Sequence, residues 1–184
     1  MGIKDLRYRR TESLLYQSLF FLLKEKEFHA VKVSELTNQA GVSRQAFYSH
    51  YEDKYDFLDQ LNSLLITRIQ NQLQLKKTSQ KVTILVLVLE ELLADHDFCL
   101  DLNRLSAINK TICEPNFDSL KSRLEQLFST YFSGYSWKTD CYNQTEYFQH
   151  FLGGMITNAL FSAIDNQSDI PLKILHTHLS LFDS

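Results

Sequence analysis

Glycine and proline constrain the fold of this chain most strongly, because the sequence holds so few of them. Among 184 residues there are five glycines and two prolines, whereas average usage of the two types together is about 12%. Tight turns and hairpins depend on these residues for their backbone dihedral angles. Hydrophobic residues make up 44% and charged residues 22% of the chain, which is ordinary for a folded domain and argues against disorder. We therefore predict an all-α fold of long helices with few connections.

Apolar residues recur at helical spacing along most of the chain. This spacing predicts about nine helices, among them one at 11–26, a long one from 53 to about 76, and two late ones at 143–165 and 172–182. The segment 82–93 is apolar on nearly all sides, so its periodicity also allows a buried strand. Its length favours a buried helix.

The most informative stretch is 33–51, in which two short helical segments flank a turn at Gly41. Gly41 can take the positive φ that ends a helix, and Ser43 is placed to cap the second helix. Phe47 and Tyr51 lie one turn apart and are expected to face the core. This order and size are those of a helix-turn-helix, although two short helices that merely pack together produce the same pattern.

The second helix of this motif would present polar side chains to DNA. The positions opposite its core face, which would point into a major groove, are Gln45, Ala46 and Ser49. The positions on its flanks, which would meet the phosphates, are Tyr48 and His50. Arg44 lies in the first turn and can reach a guanine edge or a phosphate. Lys54 begins the next helix, where its charge and the backbone N–H groups would hold a phosphate.

The charge distribution agrees in direction with this interpretation. Residues 1–54 carry nine Lys and Arg against seven Asp and Glu, whereas residues 55–184 carry ten against fifteen. A mildly basic head on an acidic body is typical of a DNA-binding domain joined to a second domain. The differences are small, and a solvated surface with chance asymmetry is the alternative explanation.

Residues 11–58 resemble the N-terminal domain of the TetR family of transcriptional regulators. The stretches that carry the resemblance are Val33-Ser34-Glu35-Leu36, Ala40-Gly41-Val42-Ser43, Phe47-Tyr48-Ser49-His50-Tyr51 and Asp53-Lys54-Tyr55-Asp56-Phe57-Leu58. The run Arg44-Gln45-Ala46-Phe47-Tyr48 is similar to a subgroup that includes regulators of the dihydroxyacetone kinase operon.

The resemblance also implies which residues contact DNA. Those that match the family's DNA contacts are Arg44, Gln45, Ala46, Tyr48 and His50, with Lys54 on a phosphate. Lys32 and Ser34 join these candidates at the start of the first helix of the motif. Lys32 stands where the family usually has a capping Thr, so Ser34 would have to help cap that helix. Ala46 stands where Thr or Gly is common and removes a hydroxyl contact, which leaves the operator sequence open.

Beyond the motif, the resemblance implies a helical domain that binds a ligand and dimerises. We therefore divide the chain into a DNA-binding domain, 1–54, and a regulatory and dimerisation domain, 55–184. The effector is expected to be a small molecule in an apolar cavity with few polar groups. The residues expected to line that cavity in part are Leu61, Leu65, Phe98, Leu102 and Leu105. The alternative is that these side chains simply fill the core.

The last two predicted helices carry more apolar surface than one core requires. A helix that packs on a single core needs an apolar stripe of about 100°, and a large exposed patch is rare on a monomer. The expected dimer residues are Phe151, Leu152, Gly153, Gly154, Met155, Leu160, Leu175, Leu179 and Phe182. A two-fold dimer would read a near-palindromic operator. The alternative is that both helices bury these faces within one subunit.

The sequence offers no catalytic or cofactor-binding pattern. The six histidines form no HExxH spacing, the cysteines at 99, 113 and 141 are too far apart for a metal pair, and Gly153-Gly154 lacks a P-loop lysine. We expect no enzyme activity, no cofactor and no metal. Residues 1–13 are charged and polar, and the longest apolar run, 84–89, is too short for a membrane span, so we expect a cytoplasmic protein without a membrane partner.

These observations and the resemblance predict a sequence-specific, DNA-binding transcriptional regulator. The expected form is a homodimeric repressor that a small-molecule effector releases from double-stranded DNA. The alternative is a TetR-like protein-interaction module that acts as a co-activator through a partner protein.

Overall fold

The computed structural model of the protein describes residues 3–76, 80–112, 117–135 and 146–180, and in these ranges it contains helices and no strand. The α-helices are α1 (Ile3–Leu22), α2 (Val33–Ala40), α3 (Arg44–Tyr48), α4 (Lys54–Leu75), α5 (Lys81–Ala94), α6 (His96–Lys110), α7 (Leu120–Tyr131), α8 (Glu146–Asp165) and α9 (Ile170–Ser180). A 3-10 turn, Phe28–Ala30, lies between α1 and α2. The predicted all-α fold is confirmed, and the ambiguous segment 82–93 lies in the helix α5. None of the described helices is long and apolar enough to cross a membrane.

Helices α1, α2 and α3, which we call the head, share one small core. Leu15 of α1, Leu36 of α2 and Phe47 of α3 are fully buried there. The Phe47 ring also meets the ring of Phe57 on α4, with the centroids 6.0 Å apart. The head is thereby packed against the start of α4, the first helix of the remainder, α4–α9, which we call the body.

Side-chain caps begin several of these helices, as the residue types predict. The Asp53 carboxylate accepts the backbone N–H groups of Tyr55 and Asp56, both at 2.8 Å, and Asp95 caps α6 in the same way. Several predicted boundaries were wrong. Helix α1 spans Ile3–Leu22 instead of 11–26, and α3 ends at Tyr48 instead of Tyr51.

A buried pair of asparagines joins three helices of the body. The side-chain amides of Asn62 on α4 and Asn109 on α6 donate to each other's oxygens, both at 3.1 Å. Asn109 also donates to the carbonyl of Leu105 at 2.7 Å and accepts the backbone N–H of Leu120, the first residue of α7, at 2.8 Å. Because buried amides need partners, this network specifies how α4, α6 and α7 meet.

Helices α7 and α8 make the most extensive helix–helix contact of the described chain. Gly153 permits it, because a Cβ built there would overlap the backbone carbonyl oxygen of Glu125 and lie 3.2 Å from the nitrogen of Ser129. Its neighbour Gly154 faces open space, with no heavy atom within 4 Å of such a Cβ. Of the two neighbouring glycines, Gly153 is therefore the one that permits a close helix approach, and this approach occurs inside one chain.

Candidate functional site

Local sequence signals position α3, the second helix of the motif. Gly41 ends α2 with φ +65°, in the left-handed region, as expected for a helix-terminating glycine. The hydroxyl of Ser43 then accepts the backbone N–H of Ala46 at 3.0 Å and caps α3. Phe47 and Tyr51 are both buried in the core of the head. The predicted turn, cap and core face are confirmed.

The opposite face of α3 is open to solvent. The exposed side chains on it and just after it are Arg44, Gln45, Tyr48, Ser49 and His50. Ala46 is half-buried, and the Ser49 hydroxyl donates to the Ala46 carbonyl at 2.7 Å. This short helix therefore presents polar and aromatic groups on one side and only Phe47 to the core, which is the arrangement that base and phosphate contacts require.

One concave surface brings together five of the nine predicted DNA-binding residues. This surface, which we call the α2–α3 groove, encloses about 400 Å³ between the start of α2, α3 and the start of α4. The predicted residues in its lining are Lys32, Ser34, Arg44, Tyr48 and Lys54. The groove thus has three cationic residues and one acidic residue, Asp53, in its lining. It adjoins the N-terminal end of α2, and helix N-termini attract anions.

The Lys54 ammonium already has partners inside the head. It donates to the backbone carbonyls of Phe28, His29 and Val31 at 3.0, 2.6 and 3.0 Å, which equals the number of N–H groups that an ammonium possesses. Burial lowers the pKa of Lys54, and the charge of Asp53 opposes this change. Lys54 thus holds the 3-10 turn against the start of α4, a structural task that its sequence position did not reveal. Its phosphate contact remains a prediction.

The start of α2 is capped differently from the prediction. The carboxylate of Glu35 accepts the backbone N–H of Lys32 at 3.0 Å and forms a salt bridge with Lys26 at 2.8 Å. These bonds lower the pKa of Glu35, that with Lys26 contributing most. The carbonyl of Ser34 accepts the hydroxyl of Thr37 at 3.2 Å, a bond within α2 that does not cap its start. The side-chain hydrogen bond at the start of α2 therefore comes from Glu35, and it satisfies the N–H of Lys32.

Helix α1 contributes two groups at the end of α3 that sequence analysis missed. The rings of Tyr8 and His50 meet edge to face, with centroids 4.6 Å apart. Burial raises the pKa of Glu12 on the same helix, and the charges of Arg9 and His50 oppose this change. His50 is thus packed and electrostatically coupled to α1, which no pattern within 33–51 could indicate.

A cavity of about 260 Å³ lies between α1, α4 and α6, and we call it the junction cavity. Four of the five predicted ligand-binding residues line it: Leu61, Leu65, Phe98 and Leu105. Leu102 is fully buried in the core and does not line it. The expectation of few polar groups was wrong, because six further lining residues are polar or charged: Arg9, Glu12, Ser13, Tyr16, Arg68 and Asp101.

Most of the predicted dimer residues lie in the core of a single chain. The buried ones are Leu152, Gly153, Leu160, Leu175 and Leu179. These residues pack within the chain, so they are not available to a second copy and these assignments were wrong. Gly154 and Met155 are half-buried, and Phe182 lies outside the described residues. Of the predicted set, Phe151 is the large apolar side chain that remains exposed, at 63%.

Other apolar residues on α8 and α9 do face solvent. On α8, Tyr147 is 87% exposed and lies one turn before Phe151. On α9, Ile170 and Ile174 are also exposed and are again one turn apart. Helical periodicity showed that both helices carry more apolar surface than one core can bury. It assigned the additional apolar surface to the wrong faces.

Comparisons with known proteins agree with the motif and the fold. Residues 21–61 match the family model described as bacterial regulatory proteins, tetR family. The uncharacterized HTH-type transcriptional regulator YxbF of Bacillus subtilis (strain 168) is 25% identical over 182 residues, which cover 93% of this chain and 44% of that protein. The chain thus spans less than half the length of this curated relative.

The fold has a counterpart among solved structures. The crystal structure of the reduced form of E. coli NemR superimposes with a TM-score of 0.56 at 15% identity, covering 95% of this chain and 98% of that one. The helix-turn-helix at 33–51 therefore lies within a segment, residues 21–61, that matches the tetR family of bacterial regulatory proteins.

Proposed function

We propose that the protein is a DNA-binding transcriptional regulator of the TetR type, with a DNA-binding domain at 1–54 and a regulatory domain at 55–184. The observation that carries this proposal is the α2–α3 groove beside the exposed face of α3, which gathers cationic and hydrogen-bonding side chains on a helix-turn-helix. Arg44, Tyr48 and Lys32 would contact the phosphates, and Gln45 and Ser49 would face the bases. The similarity to dihydroxyacetone kinase operon regulators stays a prediction.

Replacing Arg44 with alanine is expected to weaken DNA binding about tenfold to a hundredfold, as for loss of one good charged contact. Binding is measured by fluorescence anisotropy on duplexes from upstream of the protein's own gene, at several salt concentrations. If Arg44 contacts a phosphate, its loss also lowers the slope of log affinity against log salt by about one. Gln45→Ala is expected to change the preferred sequence more than the overall affinity.

Lys110→Ala is the matched control, because it removes the same charge from the exposed end of α6, far along the chain from the groove. It is expected to leave DNA affinity unchanged. A wild-type protein that binds no duplex even at low salt would contradict the regulator function and favour a protein-interaction module.

We further propose that the protein acts as a homodimeric repressor. The exposed apolar residues of α8 and α9 support this, because such surface is normally covered. Two heads related by a two-fold axis would read a near-palindromic operator, with half-sites about one helical turn apart or somewhat more. A small molecule that favours another spacing of the heads would release the DNA by shifting the population.

Replacing Phe151 with aspartate is expected to dissociate the dimer, because it places a charge in the apolar contact. Sedimentation at micromolar concentration measures the change, from a dimer to a monomer of 21.5 kDa. The control, Leu75→Asp, alters a side chain that is 77% exposed at the end of α4 and is expected to leave the dimer intact. A dimer that persists in Phe151→Asp would place the interface elsewhere.

A further inference from the structure

The junction cavity has walls from both the head and the body. Arg9, Glu12, Ser13 and Tyr16 of α1 form one wall, and the others come from α4 and α6. At about 260 Å³ it lies just below the range of about 300–1,000 Å³ that drug-sized ligands occupy, so it suits a small ligand. A molecule bound there would touch the head and the body at once.

The lining is divided by chemistry. The apolar residues from α4 and α6 are Leu61, Leu64, Leu65, Phe98 and Leu105. The acidic groups lie on different helices, Glu12 on α1 and Asp101 on α6. With five apolar and six polar or charged residues in its lining, the cavity suits a small molecule that has both an apolar body and a charged group.

The basic side chains of the cavity are already engaged. Arg68 forms a salt bridge with Asp95 and lies over the Phe98 ring, 5.3 Å from its centroid. The charge of Arg9 acts on Glu12. A further anion would therefore compete with existing partners for these cations.

The acidic side chains keep acceptor capacity for a ligand, although the charges of Arg9 and His50 also act on Glu12. Asp101 accepts the Tyr16 hydroxyl, but a carboxylate offers about four lone-pair sites. Burial raises the pKa of Glu12, so the environment disfavours its charged form, and a bound cation would offset that penalty. The aromatic ring of Tyr16 in the lining adds a group that attracts a cation.

We propose that the junction cavity is the effector site and that it binds a small organic ammonium ion with an apolar body, held between Glu12 on α1 and Asp101 on α6. This assignment rests on the proposed function, since it names the effector class and the place where it acts.

The position of the cavity supplies the coupling to DNA. Helices α1 and α6 meet through the Tyr16–Asp101 hydrogen bond and through Arg104, which lies over the Phe20 ring, 4.9 Å from its centroid. An ammonium held by Glu12 and Asp101 at once adds an attraction between α1 and α6 beside the Tyr16 bond and reorients α1 against α6. Because α1 also packs against His50 through Tyr8, this change reaches the end of α3 and shifts the population of head orientations.

A second cavity, of about 1,030 Å³, lies between α5, α6 and the α8–α9 connection. It is larger, but all its lining residues belong to the body, among them Cys99, Asn103 and Lys173. A ligand there would not touch the head. The smaller junction cavity therefore offers the more direct control of DNA binding.

Calorimetric titration of the full chain with matched ligand pairs tests the effector class. The probes are phenethylamine and phenylacetate, benzylamine and benzoate, and hexylamine and hexanoate, each up to 10 mM. We expect at least one amine to bind, and to bind at least tenfold more tightly than its matched carboxylate. Carboxylates that bind more tightly, or no binding by any probe, would overturn the proposal.

Three variants locate the binding site. Asp101→Asn and Glu12→Gln keep the size of each side chain and are expected to weaken amine binding at least fivefold, whereas Ser13→Phe is expected to block the exposed mouth of the cavity. The control, Asp97→Asn, removes an exposed acid on α6 outside the cavity and is expected to leave amine affinity unchanged. If neither Asp101→Asn nor Ser13→Phe weakens amine binding, the assignment of the binding site to the junction cavity is contradicted.

DNA binding is measured separately by anisotropy, with and without the amine that binds. Unchanged DNA affinity in the presence of saturating amine would overturn the effector role. DNA binding without any amine binding would overturn this inference and leave the regulator function intact. Amine binding by a protein that binds no DNA would support the site and contradict the proposed function.

Discussion

Replacing Gly153 with alanine is expected to destabilise the protein by about 3 kcal/mol or more. The added Cβ overlaps the backbone carbonyl oxygen of Glu125 on α7, and a backbone atom cannot turn aside as a flexible side chain can. Helices α7 and α8 would have to separate along their shared contact. Urea denaturation followed by circular dichroism, at constant protein concentration, measures the change.

Gly154→Ala is the matched control, one residue further along the same helix. A Cβ at Gly154 meets no heavy atom within 4 Å, and alanine is favoured over glycine inside a helix by about 1 kcal/mol. The two substitutions are therefore expected to change stability in opposite directions. Similar destabilisation by both would contradict the packing of α7 on α8 described above.

Replacing Asn109 with alanine is expected to cost about 2–3 kcal/mol of stability. The substitution leaves the Asn62 amide and the backbone N–H of Leu120 buried without the partners that they have now. An unsatisfied buried polar group costs about 1–3 kcal/mol. The same denaturation experiment measures the loss.

A double-mutant cycle with Asn62→Ala separates the interaction energy of the two amides from the stability lost through packing. The double variant is expected to lose less stability than the two single variants together, because it removes both ends of the buried bonds. Asn103→Ala on the exposed face of α6 is the control and is expected to stay within about 0.5 kcal/mol of wild type. Additive losses from Asn62 and Asn109 would show that the two amides do not stabilise each other.

Features that depend on a few neighbouring residues could be predicted from the sequence. Gly41 ends α2 in the left-handed conformation, Ser43 caps α3, and Asp53 caps α4. Each of these depends on the residue's own backbone preference or on a hydrogen bond within three positions. The order of the helices follows from periodicity for the same reason.

The boundaries and functional assignments that failed depend on packing between distant segments. Helix α1 reaches back to Ile3, beyond the apolar repeat that suggested a start near residue 11. Leu102 lies in the core instead of the cavity lining, because which side of α6 meets α1 cannot be deduced from α6 alone.

The predicted dimer face shows the same limit. Periodicity established that 143–165 is apolar around most of its circumference, but the same pattern fits a partner within the chain or in a second copy. The structure places Leu152 and Leu160 inside the chain and leaves Tyr147 and Phe151 exposed. Gly153 shows the same limit. A glycine in a helix allows another helix to pack closely, but it does not specify which one, and in the structure that helix is α7.

The sequence by itself determined an all-helical chain with a helix-turn-helix at 33–51, because helical periodicity, caps and a left-handed glycine are short-range properties. Only the tertiary structure decided that Lys54 binds three backbone carbonyls between α1 and α2 and that α1, α4 and α6 line a cavity with Glu12 and Asp101 in its walls. Glu12 and Asp101 are far apart along the chain, and no sequence pattern links them. Long-range packing alone brings the two carboxylates into the same cavity.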